Sequence, residues 1–365
     1  MNILWLTNVP SPYRVNFFNE LGKECELTVL FEKSSSNERE KGWELYEFKT
    51  FIGVLLNGWE MDVDKSLSLT VVKYLRKKYD HIVISNVATP TGIIAINYLK
   101  LFKIPYIIEG DGGFSKSGMG IKEKLKKNLI KGASAYFSTS EMHDSYYIQY
   151  GAIKEKIYRY PFTSLKEIDL LKAPINKYEK QQLKNKMNIK DDIVILSVGQ
   201  FIYRKGFDVL LKACSMIDVN IGVYIIGGKA TDEYIDIIDM YGLSNVHIEE
   251  FKNKNELSDY FKISDLFVLP TREDIWGLVI NEAMAHALPV ITTNRCIAGL
   301  ELIINNHNGF LVSVDHPLDL ANKINLIIND TDLREIMAKN SLEKIKNYTI
   351  EQMTKCHIQI FKELL

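Results

Sequence analysis

Short apolar runs rich in β-branched residues recur along this chain, and between them lie longer stretches whose apolar residues return every three or four positions. In the first half the runs are Ile3 to Leu6, Leu27 to Phe31, His81 to Ser85, Tyr106 to Glu109, Ala135 to Ser138 and Ile157 to Tyr160. The helical spacing is carried between them by Leu67 to Tyr79 and Gly92 to Leu101. Runs that read apolar throughout belong to strands buried on both faces, so the alternation predicts a parallel sheet covered by helices on each side. After Pro161 the rhythm stops in a polar, Lys-rich segment, Leu165 to Asp192, which predicts a linker and a lead-in helix. A second series then follows: Ile193 to Val198, Gly222 to Ile226, Val246 to Glu249, Leu266 to Leu269, Pro289 to Thr292 and Gly309 to Val312. The predicted fold class is α/β, two Rossmann-like doubly wound parallel-sheet domains in tandem.

The length of 365 residues supports two domains of ordinary size, each with its own core. Lys plus Arg number 45 against 46 Asp plus Glu, a net charge of −1, which excludes a disordered tail or a chain-wide nucleic-acid binder. Cut after Ile175, the first part holds 24 basic against 20 acidic residues and the second 21 against 26. Cys25, Cys214, Cys296 and Cys356 stand alone, with no C-x-x-C, so a reducing, cytoplasmic setting is expected and no metal site is predicted. The start shows neither a basic n-region nor an apolar run of signal-peptide length, and no stretch approaches a membrane span.

Open α/β sheets place ligands at the carboxyl ends of their strands, so the residues following each strand of the second domain carry the expected chemistry. The first of those strands ends in Gly199, followed by Gln200-Phe-Ile-Tyr-Arg204-Lys205-Gly206, which sets two adjacent cations in a Gly-bounded loop. A diphosphate suits such a pair. The strand Leu266 to Leu269 runs into Pro270-Thr-Arg-Glu273-Asp274-Ile275-Trp276-Gly277, and Leu278 to Ala287 then reads as a helix. The free N–H groups of Gly277, Leu278 and Val279 would face the same ligand. Seven residues separate Asp274 from Glu282, which puts one carboxylate ahead of the helix and the other on its second turn.

Gly-x-x-x-x-Arg-Lys-Gly at 199 to 206, Glu-Asp-x-Trp-Gly-Leu-Val-Ile-Asn-Glu-Ala-Met-Ala at 273 to 285 and the Leu-Pro-Val-Ile after it together resemble the retaining glycosyltransferases of family 4. The resemblance covers nearly the whole second domain and is weaker in the first. It implies a GT-B fold, with the two domains facing across a cleft, and transfer of a sugar from a nucleoside-diphosphate sugar with no cofactor or metal. Arg204 and Lys205 would bind the donor diphosphate, the 277 to 279 amides its sugar and phosphate, and Glu282 its ribose. Asp274 stands where the family has the first Glu of E-x7-E. An alternative register gives that contact to Glu273, while Trp276-Gly277 favours Asp274. Gly227-Gly228 matches the family's paired glycines near the donor, and the Glu250 to Lys252 loop is expected near the base, with UDP ahead of GDP. The implied domains are 1–171 plus a returning helix 350–365, and 172–349.

In such a fold the acceptor binds the first domain. After its first strand Asn8-Val-Pro10-Ser11-Pro12-Tyr13-Arg14 offers a hydroxyl and a cation. After Tyr106 to Ile108 comes Glu109-Gly-Asp111-Gly-Gly113, where many family members have a His, so Asp111 or Glu109 takes that place. His143 and Tyr136, also near a strand end, are given no role. Lys116 to Lys131 carries Lys122, Lys124, Lys126, Lys127 and Lys131 around Ile121, Leu125 and Leu129, a basic amphipathic helix suited to an anionic membrane and hence to a lipid-linked or glycan acceptor. The expected setting is bacterial surface polysaccharide assembly, in the cytoplasm or on the inner face of the cell membrane. Three rivals stand beside this reading. A metal-dependent transferase of the GT-A type needs a D-x-D after a strand, and Asp62-Val-Asp64 follows Asn57-Gly-Trp-Glu-Met instead. A nucleotide-sugar epimerase would lack the 273 to 285 constellation. A non-catalytic nucleotide-sugar binder is the third.

Overall fold

The computed structural model describes residues 1–33, 47–62, 65–115, 118, 120–217 and 221–365. Within them the chain divides into two compact units, Met1–Ser164 with Tyr348–Leu365, and Leu165–Asn347. The first break falls ahead of the expected 171/172, because residues 165–171 pack on the second unit. There the Leu171 N–H donates to the Ala285 carbonyl (3.0 Å), and Lys254 Nζ donates to Asp169 (2.7 Å). Leu171 also lies against Ala287, Ala338 and Leu342.

The first unit contains β1 (Asn2–Thr7), β2 (Glu26–Phe31), β3 (Ile52–Leu55), β4 (Trp59–Asp62), β5 (Lys65–Leu67), β6 (His81–Ile84), β7 (Ile107–Glu109), β8 (Ala135–Ser138) and β9 (Ile157–Arg159). All but β4 and β5 form one parallel sheet in the order β3-β2-β1-β6-β7-β8-β9. Chain direction across the sheet reverses between β1 and β6, so the loops after β1, β6 and β7 gather at one switch point. The second unit contains β10 (Ile193–Val198), β11 (Ile221–Ile226), β12 (Val246–Glu249), β13 (Leu266–Leu269), β14 (Val290–Thr293) and β15 (Gly309–Val312), in the parallel order β12-β11-β10-β13-β14-β15. Its switch point lies between β10 and β13, where the two motif-bearing loops emerge.

Two expectations change. Leu67 to Tyr79 is not one helix: β5 ends at Leu67 and only Val71–Leu75 is helical. Thr91 holds the chain extended there, since its Oγ1 donates to the Ser66 carbonyl (2.7 Å) and accepts from the Ser68 N–H (3.0 Å). A strand does run through the Asp62 region, as β4 pairs antiparallel with β5. It stands apart from the parallel sheet, and Val63 and Asp64 lie outside the described residues. Of the 116–131 segment, residues 116, 117 and 119 are likewise outside, and the helix is Ile121–Ile130.

The terminal helix Ile350–Glu363 belongs to the first unit. Its His357 and Phe361 rings enter an aromatic cluster with Trp5, Phe17 and Phe137, at centroid separations of 4.9–6.4 Å. The Phe361 carbonyl meets His81 Nε2 at 2.9 Å. Burial pushes the pKa of both His357 and His143 down to about 4. The unfolded chain therefore binds these protons near pH 6.5 while the folded chain refuses them until about pH 4, and stability is lost as pH falls through that window. Burial raises Glu32 to about 7 and acts in the opposite sense, favouring the fold as pH falls from 7 toward the ordinary Glu value. The two histidines outweigh it at roughly 3 kcal/mol apiece. Urea denaturation should therefore show a lower midpoint at pH 4.5 than at pH 7, and His357→Asn should reduce that difference; an equal drop in variant and wild type would contradict the assignment.

Candidate donor and acceptor sites

At the second switch point the β10 loop closes in a short 3-10 turn, Tyr203–Lys205, ended by Gly206 with φ +70°. Gly206 is required there, because a Cβ would stand 2.2 Å from the Pro270 carbonyl oxygen. The turn is tied to the segment after β13. The Arg204 carbonyl accepts from Thr271 Oγ1 (2.8 Å) and from the Arg272 N–H (2.8 Å), while Arg204 Nη1 donates to the Glu273 carbonyl (2.9 Å). Both cations of the turn then meet one carboxylate. Lys205 Nζ lies 2.7 Å and Arg204 Nη1 3.4 Å from Asp274 Oδ2. Lys205 is largely buried, whereas the Arg204 side chain is 47% exposed.

Asp274 is fixed from the other side by β14's extension: its N–H donates to the Arg295 carbonyl (2.9 Å), and its own carbonyl accepts from the Ile297 N–H (3.1 Å). Gly277, at φ +98°, turns the chain into the helix Leu278–Ala285, and a Cβ there would come within 2.9 Å of Cys296 Sγ. The Cys296 thiol is buried, its pKa is pushed up to about 12, and it donates to the Trp276 carbonyl, so it serves packing. Glu282 is half-buried on the second turn of this helix, and its carbonyl accepts from His286 Nδ1 (2.8 Å). The switch point thus joins Arg204, Lys205, Asp274, Gly277 and the helix start, with Leu278 and Val279 half-buried and Ile275 exposed.

Other expected donor contacts are placed differently. Trp276 is buried, and its indole N–H donates to Asn281 Oδ1 (2.9 Å), so the ring supports the turn. Glu273 pairs with Arg295 rather than with the Arg204-Lys205 cations. Lys252 pairs with Glu249 (2.9 Å) and lies over the Tyr260 ring. The paired glycines come close to their neighbours: a Cβ on Gly227 would strike the Gly199 carbonyl at 1.7 Å, and one on Gly228 the Phe251 ring at 2.8 Å. Phe251, 47% exposed beside Gly228, lies inside the loop assigned to the base but was not singled out by spacing.

Arg272 is the residue that sequence reasoning missed. Its guanidinium forks onto Asp208 (2.9 and 2.7 Å), reaches Asp315 (2.7 Å) and the Tyr203 carbonyl (2.6 Å), and stacks 3.9 Å from the Tyr203 ring centroid. Hydrogen bonds to Asp208 hold it charged, well above the ordinary arginine range. Only the adjacency of Arg272 to the motif marks it in the sequence.

At the first switch point the expected acceptor residues form a buried network. Arg14 donates to Glu109 (2.8 and 3.1 Å) and to Asp111. Glu109 also accepts from Ser85 Oγ (2.5 Å) and Tyr160 O–H (2.7 Å), and Tyr13 O–H donates to Asp111 (2.9 Å). Ser11 is buried at the entry to helix Pro12–Leu21. Arg14 and Glu109 therefore spend their polar groups on each other, which replaces the expectation of an open cation in this loop.

A family model described as glycosyl transferases group 1 matches residues 179–344, the span holding the Arg204, Asp274 and Glu282 elements. A glycosyltransferase from Methanocaldococcus jannaschii is 27% identical over 81% of this chain and 89% of its own length. Residues 179–344 thus resemble group 1 glycosyltransferases, and the chain is a glycosyltransferase of GT-B type. The Staphylococcus aureus capsular polysaccharide biosynthesis glycosyltransferase CapM is 31% identical over 47% of each chain. Among solved structures, Anabaena HepE in complex with UDP superposes with a TM-score of 0.80 at 18% identity over the whole of both chains. Sucrose-phosphate synthase from Thermosynechococcus elongatus gives 0.78 at 16%, covering all of this chain and 99% of its own. These fix the glycosyltransferase's fold as two Rossmann-like domains of GT-B type.

Arg272 anchors the cation-bearing turn, so Arg272→Ala should cost about 2 kcal/mol of stability through its charged hydrogen bonds. Thermal denaturation measures this; a wild-type melting temperature in the variant would refute the role.

Proposed function

We propose that this glycosyltransferase is a retaining, metal-independent enzyme of family 4. It moves a sugar from a nucleoside-diphosphate sugar, UDP before GDP, to a glycan or lipid-linked acceptor in bacterial surface polysaccharide assembly. One observation carries the reading: Arg204 and Lys205 converge on the β13 loop beside the start of helix Leu278–Ala285. Two cations and the first helical N–H groups there match the charge that develops on a departing nucleoside diphosphate. Charge-assisted hydrogen bonds contribute roughly 1.5–3 kcal/mol each, which makes leaving-group stabilisation the main catalytic term. Glu282 holds the ribose in this reading, and Asp274 orients the two cations and borders the transferred sugar.

In the step itself the acceptor hydroxyl oxygen bonds to the anomeric carbon as the bond from that carbon to the diphosphate oxygen breaks. The hydroxyl proton passes to the departing phosphate oxygen, and attack on the leaving-group face retains the anomeric configuration. UDP and UDP-glucose accompany the Anabaena neighbour. A Campylobacter jejuni relative, 20% identical over 77% of each chain, is named as acting on a diphospho-undecaprenol acceptor. Both agree with the proposed donor and acceptor classes.

The expected test incubates the protein with UDP-, GDP- and ADP-sugars in EDTA and follows nucleoside diphosphate release. Release should persist in EDTA and fall by about two orders of magnitude in Arg204→Ala and Glu282→Ala, and NMR should show a product with the donor's anomeric configuration. An inverted product, or release that needs added metal, overturns the proposal.

A peripheral membrane contact belongs to the same reading. Among the described residues no helix is long and apolar enough to span a bilayer. Helix Ile121–Ile130 buries Leu129 but leaves Ile121 88% and Leu125 49% exposed among Lys122, Lys124, Lys126 and Lys127. Lys126 is partly committed to the Tyr146 and Tyr150 rings. Each lysine near an anionic surface adds about 1 kcal/mol. Sedimentation should show binding to phosphatidylglycerol vesicles and not to phosphatidylcholine, weakened in Ile121→Ser/Leu125→Ser; equal binding to both lipids would reject the surface.

A further inference from the structure

Helix Lys254–Ile263 carries Ser258 in its middle, and helix Leu278–Ala285 ends at His286. Ser258 Oγ and His286 Nε2 are 2.9 Å apart, and His286 Nδ1 lies 2.8 Å from the Glu282 carbonyl. A carbonyl can only accept, so Nδ1 carries the ring proton and Nε2 turns its lone pair to the serine hydroxyl. The imidazole is stacked on the Phe261 ring, with 5.0 Å between centroids and 17° between planes, which restricts its rotation. Ser258 and His286 are both only partly buried, so the hydroxyl is within reach of solvent.

Nucleophile, base and a third group that fixes the tautomer are the order of groups that activates a hydroxyl. Burial pushes His286 below the ordinary histidine pKa, and its lone pair is therefore available at neutral pH. Lys262 and Lys254 add to that lowering, while the Glu282 carbonyl and Asp169 oppose it. Lys254 is tied to Asp169 at 2.7 Å, whereas Lys262 pairs only loosely with Asp259 at 3.6 Å. Lys262 stands one helical turn beyond Ser258 on the same face, where a cation favours negative charge developing next to the hydroxyl. The pair is distinct from the diphosphate turn. Gly277 precedes helix Leu278–Ala285 and His286 follows it, and its 8 residues span about 12 Å.

We propose that Ser258 is a reactive hydroxyl, activated by His286, that takes an acyl group from activated carboxylic esters. In this step Ser258 Oγ bonds to the ester carbonyl carbon as the bond from that carbon to its alkoxy oxygen breaks. The serine proton passes to His286 Nε2 and from there to the departing oxygen, leaving an acyl-serine and a free alcohol. Water then attacks the same carbonyl, giving the carboxylic acid and restoring the hydroxyl.

The test exposes the full chain to p-nitrophenyl acetate, follows nitrophenol release and locates the acetyl group by peptide mass spectrometry. Ser258 should carry it, with the rate reaching half its plateau below pH 6.5. His286→Gln should slow acetylation of Ser258 by about a hundredfold, and Ser258→Ala should lose the fast phase of nitrophenol release. A bond that only pins two helices together would lower the melting temperature of both variants and leave nitrophenol release as it was. Ser258→Cys keeps the size of the side chain and provides a second readout. Its new thiol should be alkylated by iodoacetamide near pH 6.5 at least about tenfold faster than Cys25 or Cys356, whose pKa values burial raises.

Acetyl groups confined to lysines, undiminished nitrophenol release in Ser258→Ala, or a new thiol in Ser258→Cys no more reactive than Cys25 would each overturn the proposal.

Discussion

The ion pair between Lys205 and Asp274, with Arg204 alongside, is the contact that holds the second domain's cation-bearing turn in place. Adjacent cations on one short turn repel each other and, left in solvent, would sample many rotamers. A shared carboxylate from the neighbouring strand's loop removes both problems. The tie works because β10 and β13 are hydrogen-bonded parallel partners, so the loops leaving their carboxyl ends start side by side. The bonds from Thr271 and Arg272 to the Arg204 carbonyl then fix the turn's backbone. Glycine does the rest at Gly206 and Gly277, where left-handed backbone or a close carbonyl leaves no room for a side chain.

The two switch points pair cations with carboxylates in different arrangements. In the second domain two cations meet one carboxylate, a net charge of +1, which favours a diphosphate. In the first, the Arg14 guanidinium is buried between Glu109 and Asp111. Each cluster lies at the carboxyl ends of its own parallel sheet, where buried strands give way to loops able to carry polar groups. The near-neutral net charge of the chain hides this division, just as the lysines of helix Ile121–Ile130 are hidden in the first part's small basic excess.

Much of the fold was legible because buried parallel strands leave uninterrupted apolar runs. Ile193–Val198, Val246–Glu249, Leu266–Leu269 and Gly309–Val312 fall where the pattern put them. β3, β4 and β5 were not legible: β3 is a half-exposed edge strand of mixed composition, and β4 and β5 pair only with each other, so none of the three shows the apolar signature. The helix expected at 67 to 79 was shortened by tertiary hydrogen bonds from Thr91, which no local pattern encodes. At the site, spacing located Arg204, Lys205, Asp274 and Gly277 because chain-local motifs carry them. It could not reveal that Trp276 faces inward, that Arg14 is neutralised by residues about a hundred positions away, or that Arg272 anchors the turn through Asp208. The Arg14 and Arg272 contacts are long-range pairings, visible only once the sheets are assembled.

The central claim, that the Arg204–Lys205 turn is a diphosphate site built at the β10/β13 switch point, is tested most directly by calorimetric titration with UDP and uridine at several salt concentrations. The account predicts that UDP binds at least about a hundredfold more tightly than uridine, equivalent to roughly 2.8 kcal/mol, and that Lys205→Ala removes most of that advantage while leaving uridine binding unchanged. Equal affinities for UDP and uridine, or a Lys205→Ala variant that keeps the full difference, would contradict it.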